Sequence, residues 1–322
     1  MVAEVNVTGD LTRPLLVIGE SLVDVVETSA GSVDEYAGGS PANVAVALAR
    51  LGAHVELTTA YADDRLGRLL DRQFADAGVG LAGDPHVLAR TSSAVATVDR
   101  VGVASYLFDI DGQLPEPMPS AVPMLVHTGS LGAVLEPGSA VVAEAVARLA
   151  AAATISYDIN ARPAASGMSA AIVEQVESLV AASDVVKVSD EDLAAVYPGR
   201  DVAASVQHLL DLGAGAVVIT RGALGSTCHT HAGSITAAAE SVPVVDTIGA
   251  GDSFCAAMLD GLRRRGLLGA EHRTDLRALP LPAWAEVLAR AARAAAITVS
   301  RPGADPPSAA ELDVVELPAM DL

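Results

Sequence analysis

Residues 246–254 read DTIGAGDSF. A small Gly-Ala-Gly turn lies between two carboxylates, Asp246 and Asp252, and runs straight into apolar residues at helical spacing: Phe254, Ala257, Met258, Gly261 and Leu262. The spacing predicts a helix that begins near Gly251–Asp252. The first N–H groups of a helix have no internal partners and carry the positive end of its dipole. Glycines ahead of them let the backbone approach an anion closely. Asp252 is then either an N-cap or a chemically active carboxylate, and this stretch alone leaves both open. The dinucleotide fingerprint G-x-G-x-x-G fails, because Phe254 stands where a third small residue is needed. A Walker A loop fails too, since Asp252-Ser253 occupies the place of Lys-Ser or Lys-Thr.

Outward from this stretch, strand-like and helix-like runs alternate. PLLVIGESLVDVV (14–26) is a β-branched run, broken by Gly19, that fits a buried first strand. GGSPANVAVALARLG (38–52) has a Gly-Gly turn, Pro41 near a helix start and an apolar period closed by Gly52; HVELTTA follows as a strand. TISYDIN, DVVKVSD and AVVIT read as further strands, EDLAAVY and VAASVQHLLDLGA as helices. This alternation implies an α/β fold, doubly wound, with a mainly parallel sheet flanked by helices. Residues 31–39 and 91–111 look like strands without intervening helices and predict a small antiparallel sheet that stands off the main body as a lid. Residues 264–283 are polar and Pro-bearing, an excursion before a last helix from about Trp284. The chain, 1–322, reads as a single domain.

Composition narrows the partners. About half of the residues are apolar, ample for a large core, and no uninterrupted apolar run reaches the roughly 18 residues of a membrane span. The N-terminus lacks the pattern of a signal peptide, and two cysteines, Cys228 and Cys255, suit a reducing compartment, so a cytoplasmic protein is expected. A net charge of −20 argues against nucleic acid and anionic membranes. An anionic ligand would need local positive potential from helix N-termini, an Arg or Lys, or a divalent metal. His229 and His231 alternate as in a strand without a third ligand and read as solvated; Cys255 and Trp284 read as packing, and the tail 311–322 as a solvated or loosely docked end.

Six segments in order, VIGESLVDVV, GGSPANVAVALARLG, YDINARP, VKVSDEDL, VITRGALGS and DTIGAGDSF, resemble the ribokinase-like (pfkB) family of carbohydrate kinases over about residues 15–308. The resemblance implies a sugar kinase that uses ATP and Mg²⁺. In that family the Asp closing the GAGD turn is the general base for the sugar hydroxyl, here Asp252, and the amides of Gly249, Ala250 and Gly251 form the anion hole. Asp24 matches the sugar-binding Asp, and Gly38, Gly39 and Asn43 match the motif lining the sugar pocket. Ser189 and Asp192 stand at the N-x-x-E motif that organises Mg²⁺ and the ATP phosphates. Both are shorter than the family's residues, so no direct Mg²⁺ ligand is assigned and Asp192 would act through water. Thr220, Gly222 and Gly225 match the nucleotide-side T-x-G-x-x-G loop.

Asp158, Asn160 and Arg162 echo a D-x-N-x-R-P pattern typical of the fructokinase and 2-keto-3-deoxygluconate kinase branches, which puts Asn160 and Arg162 on the substrate side. Some members bind a monovalent cation through a segment matching Asp246 and Ile248 and a C-terminal G-A-x-P-S stretch. Here Pro307 replaces the usual Ser, which counts against potassium activation. Lid edges in the family often pair between subunits, so a homodimer through the lid is an expectation. Fructokinase is the branch most resembled. The alternatives are a 2-keto-3-deoxygluconate kinase, with Arg162 and Arg100 as cations for the acid sugar, and a ribokinase or nucleoside kinase. Aromatic residues at 3% leave little for stacking a base. From another class, a non-catalytic sugar-binding regulatory protein would be marked by loss of the GAGD Asp, and Asp252 is present.

Overall fold

A computed structural model describes residues 12–27, 33–98 and 104–313. The chain starts with β1 (Leu15–Ile18), β2 (Leu22–Glu27), β3 (Val33–Gly38), α1 (Ser40–Arg50), β4 (Val55–Thr58) and α2 (Gly67–Ala77). Then come β5 (Gly80–Leu81), β6 (Ser93–Val98), β7 (Ala104–Asp109), β8 (Leu125–Gly129), α3 (Gly138–Leu149), β9 (Thr154–Asp158), α4 (Pro163–Ser166) and α5 (Ala170–Ala181). Next are β10 (Val185–Ser189), α6 (Asp190–Val196), α7 (Val202–Leu212), β11 (Ala216–Thr220), β12 (Ser226–Thr230) and β13 (Gly233–Ala237). Helices α8 (Ala250–Arg264), α9 (Arg273–Arg277), α10 (Leu281–Val299) and α11 (Ala309–Leu312) finish it.

The main sheet has the order β13-β12-β11-β10-β9-β8-β1-β4-β5. From β11 to β5 every pairing is parallel, and β12 and β13 add an antiparallel edge. A parallel strand covered on both faces reads as an unbroken apolar run, as LLVI does in β1. Alternation sorts its side chains: Leu15 and Val17 join the core beneath α1, α8 and α10, while Leu16 and Ile18 join the core beneath α3, α5, α6 and α7. Among the polar exceptions, Asp158 ends β9 and Thr220 ends β11, while Lys187 stands at the middle of β10. The chain proceeds from β1 toward β4 on one side and β8 on the other, and such a switch point opens a crevice at the carboxyl ends of the strands.

The second sheet, β3-β2-β6-β7, differs from expectation in two ways. The run after Gly19 does not continue the first strand; it is β2, in the other sheet, with Gly19, Glu20 and Ser21 making the crossing. The sheet is also mixed, since β2 pairs antiparallel with β3 but parallel with β6. Parallel pairing is open to these two strands because a long excursion through α1, β4 and α2 separates them. Register aligns Tyr36, Asp24, Ala94 and Phe108 across the four strands.

Helix α10 starts at Leu281, three residues earlier than the sequence led us to expect, with Pro282 in the first turn where a missing N–H costs nothing. Trp284 is completely buried. Helix α8 is buried from Asp252 through Arg263, wedged between α1 and α10. Among the described residues no helix is long and apolar enough to cross a membrane, and Cys228 and Cys255 are free and buried.

Candidate active site

The first turn of α8 is built on a constrained backbone. Gly249 precedes it at φ 74°, where a Cβ would come within 2.6 Å of the Ala304 Cβ. Asp246 fastens the turn from both sides: Oδ1 accepts the Ile248 N–H at 3.0 Å and Oδ2 accepts the Gly303 N–H at 2.8 Å. The DTIGAGD segment is thereby closed onto the C-terminal loop. Of the three predicted anion-hole amides, that of Ala250 donates to the Thr247 carbonyl at 3.3 Å and helps shape the turn.

Asp252 lies in the first turn of α8 and is nearly buried. Its carboxylate is oriented by α1: Ser40 Oγ donates to Oδ1 at 2.7 Å and Asn43 Nδ2 to Oδ2 at 2.8 Å. Asn43, predicted as a sugar-pocket residue, therefore serves Asp252 directly, and Ser40 was missed. A serine three residues before Asn43, at the start of a helix, was the available signal. A carboxylate has lone pairs to spare, so both bonds leave room for an incoming hydroxyl.

Asp24 faces the same site. Burial pushes its carboxyl up to about 6, with Arg162 pulling it down and Asp252 adding to the rise. Gly38 permits this placement, since a Cβ there would fall 2.5 Å from Asp24 Oδ2. Gly39 caps α1 where its backbone crosses over Glu20 and Ser21. Glu20, also missed, closes the end of β1 and accepts the Gly132 N–H at 2.7 Å; burial pushes it up to about 7. An acidic residue directly after a buried central strand was its signal. Asn160 takes a left-handed backbone at φ 36° with its amide nitrogen buried and unpartnered, and Arg162 is exposed at the start of α4. Arg100 lies outside the described residues.

On the nucleotide side, Thr220, Gly222 and Gly225 line one cleft together with Ala250 and Gly251, about 520 Å³ in volume. Val242, Ala292, Ala296 and Val299 make its apolar wall. Ser189 and Asp192 are used internally: they form a capping box at α6, and Asp192 Oδ1 accepts the Ala161 N–H at 2.8 Å. Both oxygens of Asp192 are thus engaged, and it holds the loop bearing Asn160 and Arg162. Asp158 is different. One oxygen accepts from Lys187 Nζ at 2.7 Å, and the other is buried without a partner. Burial pushes the Asp158 carboxyl up to about 6, and Lys187 opposes that rise. Burial works against the Lys187 charge, but the Asp158 carboxylate, aided by Cys255 and Asp192, holds the ammonium above its usual range. Among the described residues no three His, Cys, Asp or Glu side chains are grouped to hold a metal by themselves. A hydrated Mg²⁺ carried on ATP phosphates fits the unpartnered Asp158 oxygen, because such an ion keeps most of its waters as donors.

Known proteins share this fold and much of this sequence. The fructokinase of Rhizobium leguminosarum bv. trifolii is 34% identical over 266 residues, 79% of this chain and 81% of that one. The crystal structure of fructokinase with bound ATP from Xylella fastidiosa matches with a TM-score of 0.81 at 26% identity, covering 94% of this chain and 97% of that one. Aminoimidazole riboside kinase from Salmonella enterica, complexed with aminoimidazole riboside and an ATP analogue, matches with a TM-score of 0.77 at 26% identity over 93% of this chain and 98% of that one. The pattern of the pfkB family carbohydrate kinases spans residues 11–311, and the chain belongs to that family.

Proposed function

We propose that this sugar kinase transfers the γ-phosphoryl group of ATP to a hydroxyl of a ketohexose, fructose in the first instance, with Asp252 as general base. The observation that carries the proposal is the placement of Asp252. Ser40 and Asn43 hold its carboxylate between Asp24 on one side and the Gly249–Gly251 turn on the other. The sugar hydroxyl oxygen attacks the γ-phosphorus, its proton passes to Asp252, and the bond from that phosphorus to the β–γ bridging oxygen breaks to release ADP. Phosphoryl transfer asks little covalent chemistry of a protein, so alignment and charge stabilisation carry the rate.

Asp24 and the unpartnered Asn160 amide supply an acceptor and a donor for sugar hydroxyls. The Thr220 loop and the GAG turn cradle the triphosphate, and the apolar wall of the cleft takes the base. Mg²⁺, held through water at Asp158, would neutralise charge on the phosphates. The four-stranded sheet covers the sugar side and excludes water as a competing acceptor. Two copies pair through its open edges. Arg162, whose charge reaches Asp24 and Glu20, favours one further acceptor, the acid sugar 2-keto-3-deoxygluconate.

The test is ADP release with MgATP across fructose, ribose, tagatose, 2-keto-3-deoxygluconate and adenosine, beside Asp252→Asn. Fructose should turn over fastest, and the variant should lose on the order of 10³-fold in kcat. Equal turnover by the variant would remove Asp252 from the chemistry, and faster turnover of the acid sugar would reassign the substrate.

A further inference from the structure

An acidic chain that handles ATP must gather positive charge locally, and the start of α8 is one source. A second lies directly behind it. Lys187 is the charged residue in the buried run Val185–Val188 of β10 and is only 4% exposed. It stands opposite Asp158 in the register of β9 with β10, and the two side chains meet at 2.7 Å. A Cβ on Gly251 would lie 3.6 Å from Lys187 Nζ, so the ammonium packs against the first turn of α8. The field of Lys187 reaches Cys255, one turn further along that helix, and His127, which burial and Lys187 together hold neutral.

A buried ion pair is a poor device for stability, since well-packed apolar residues of similar volume usually do as well or better. Its position here gives a different reason. Asp158 senses the negative charge of both Asp192 and Asp252, and without Lys187 its carboxylate would add to theirs in repelling an incoming triphosphate. Neither Asp158 nor Lys187 can move easily, because neighbouring parallel strands hold both.

We propose that Lys187 is a positioning residue for phosphoryl transfer. Its charge, fixed behind Gly251 and anchored by Asp158, adds to the helix terminus and gives the Gly249–Gly251 turn its net positive potential toward the moving phosphoryl group. The assignment rests on the kinase mechanism proposed above.

Two variants test it. Lys187→Gln keeps a hydrogen-bond donor for Asp158 without charge; Lys187→Met removes the charge and the donor at similar volume. In each, kcat should fall about 100-fold, the size of effect when one preorganised group facing a transition-state charge is lost. KM for the accepted sugar and for MgATP should stay within about threefold of wild type, the split expected when an interaction matters only in the transition state. The thermal shift produced by ADP, aluminium fluoride and the sugar together, a mimic of the planar phosphoryl group, should vanish while the shifts from ADP alone and sugar alone persist. Near-wild-type kcat in either folded variant overturns the assignment. So does a loss carried by sugar KM with the fluoride-dependent shift intact. Wild-type protein that phosphorylates no sugar on the panel overturns the underlying mechanism instead, and does so before any variant is made.

Discussion

Asp24 and Glu20 both carry the cost of standing in a partly dry crevice, and the cost is readable as pH dependence. In the proposed mechanism Asp24 must be ionised to accept from two sugar hydroxyls, and burial pushes its carboxyl up to about 6. The sugar KM is expected to rise about tenfold per pH unit below that value, with MgATP saturating, and Asp24→Asn should abolish the inflection. Glu20 titrates at about 7 when folded against 4.5 as its ordinary value, chiefly through burial and despite bonds from Gly132 and Ser130. Between those values the folded chain binds the extra proton, so stability falls as pH rises and the full penalty is present above pH 7. Its size is at most about 3 kcal/mol. Glu20→Gln, whose amide oxygen still accepts from Gly132, should therefore unfold at higher urea than wild type at pH 8 and at similar urea near pH 4.5; an identical gain at both would contradict the account. Asp252 stood out in the sequence because it closes a Gly-Ala-Gly turn at a helix start, whereas Asp24 entered only through the family resemblance, since Gly38, the residue whose missing Cβ makes room for it, lies on another strand. Lys187 and Glu20 did not stand out, because a single charge in an apolar run shows neither its burial nor its partner on another strand.

Secondary-structure elements were legible where the signal is local. Pro41 in its first turn and Gly52 after its end mark α1 through backbone chemistry confined to a few residues, whereas Pro282, read as part of the excursion, and the Ser189–Asp192 capping box of α6 declare their helices only in the structure. The same capping box shows what a short-range motif conceals. Asp192 looked like a group aimed at a metal, whereas its Oδ2 closes the cap of α6 at Ser189 and its Oδ1 ties that helix to the loop after β9. The start of α8 is the element most exposed to a single change. Gly249→Ala places a Cβ in left-handed backbone and against Ala304, so the turn must shift. We expect about 1–3 kcal/mol of lost stability and a fall in kcat on the order of 100-fold as the proposed anion hole is displaced, read from thermal unfolding and initial rates of the same preparation.

For the whole molecule, alternation of strand and helix was enough to specify a doubly wound sheet, because each parallel strand must be covered on both faces and says so in its composition. The second sheet was only half legible. β2 follows β1 so closely that the two read as one run, and its pairing with β6 joins segments about 70 residues apart, which no local pattern encodes. That sheet ends in two open edge strands, β3 and β7, on which Val33 is 54% and Leu107 69% exposed. Open edges bearing apolar side chains are what a second copy can cover. Leu107→Glu should shift the chain toward monomer in sedimentation velocity; an unchanged distribution, whether all monomer or all dimer, would remove this edge from the contact.

The clasp between Asp246 and Gly303, with Ala304 seated against Gly249, has a consequence for limited proteolysis. The turn proposed to receive the phosphoryl group is finished by a residue 57 positions further along the chain. A nick between α10 and Gly303 would free one side of that turn while the sheet stays paired and Ser40 and Asn43 still hold Asp252. Cleavage there is expected to silence turnover well before it lowers the melting temperature.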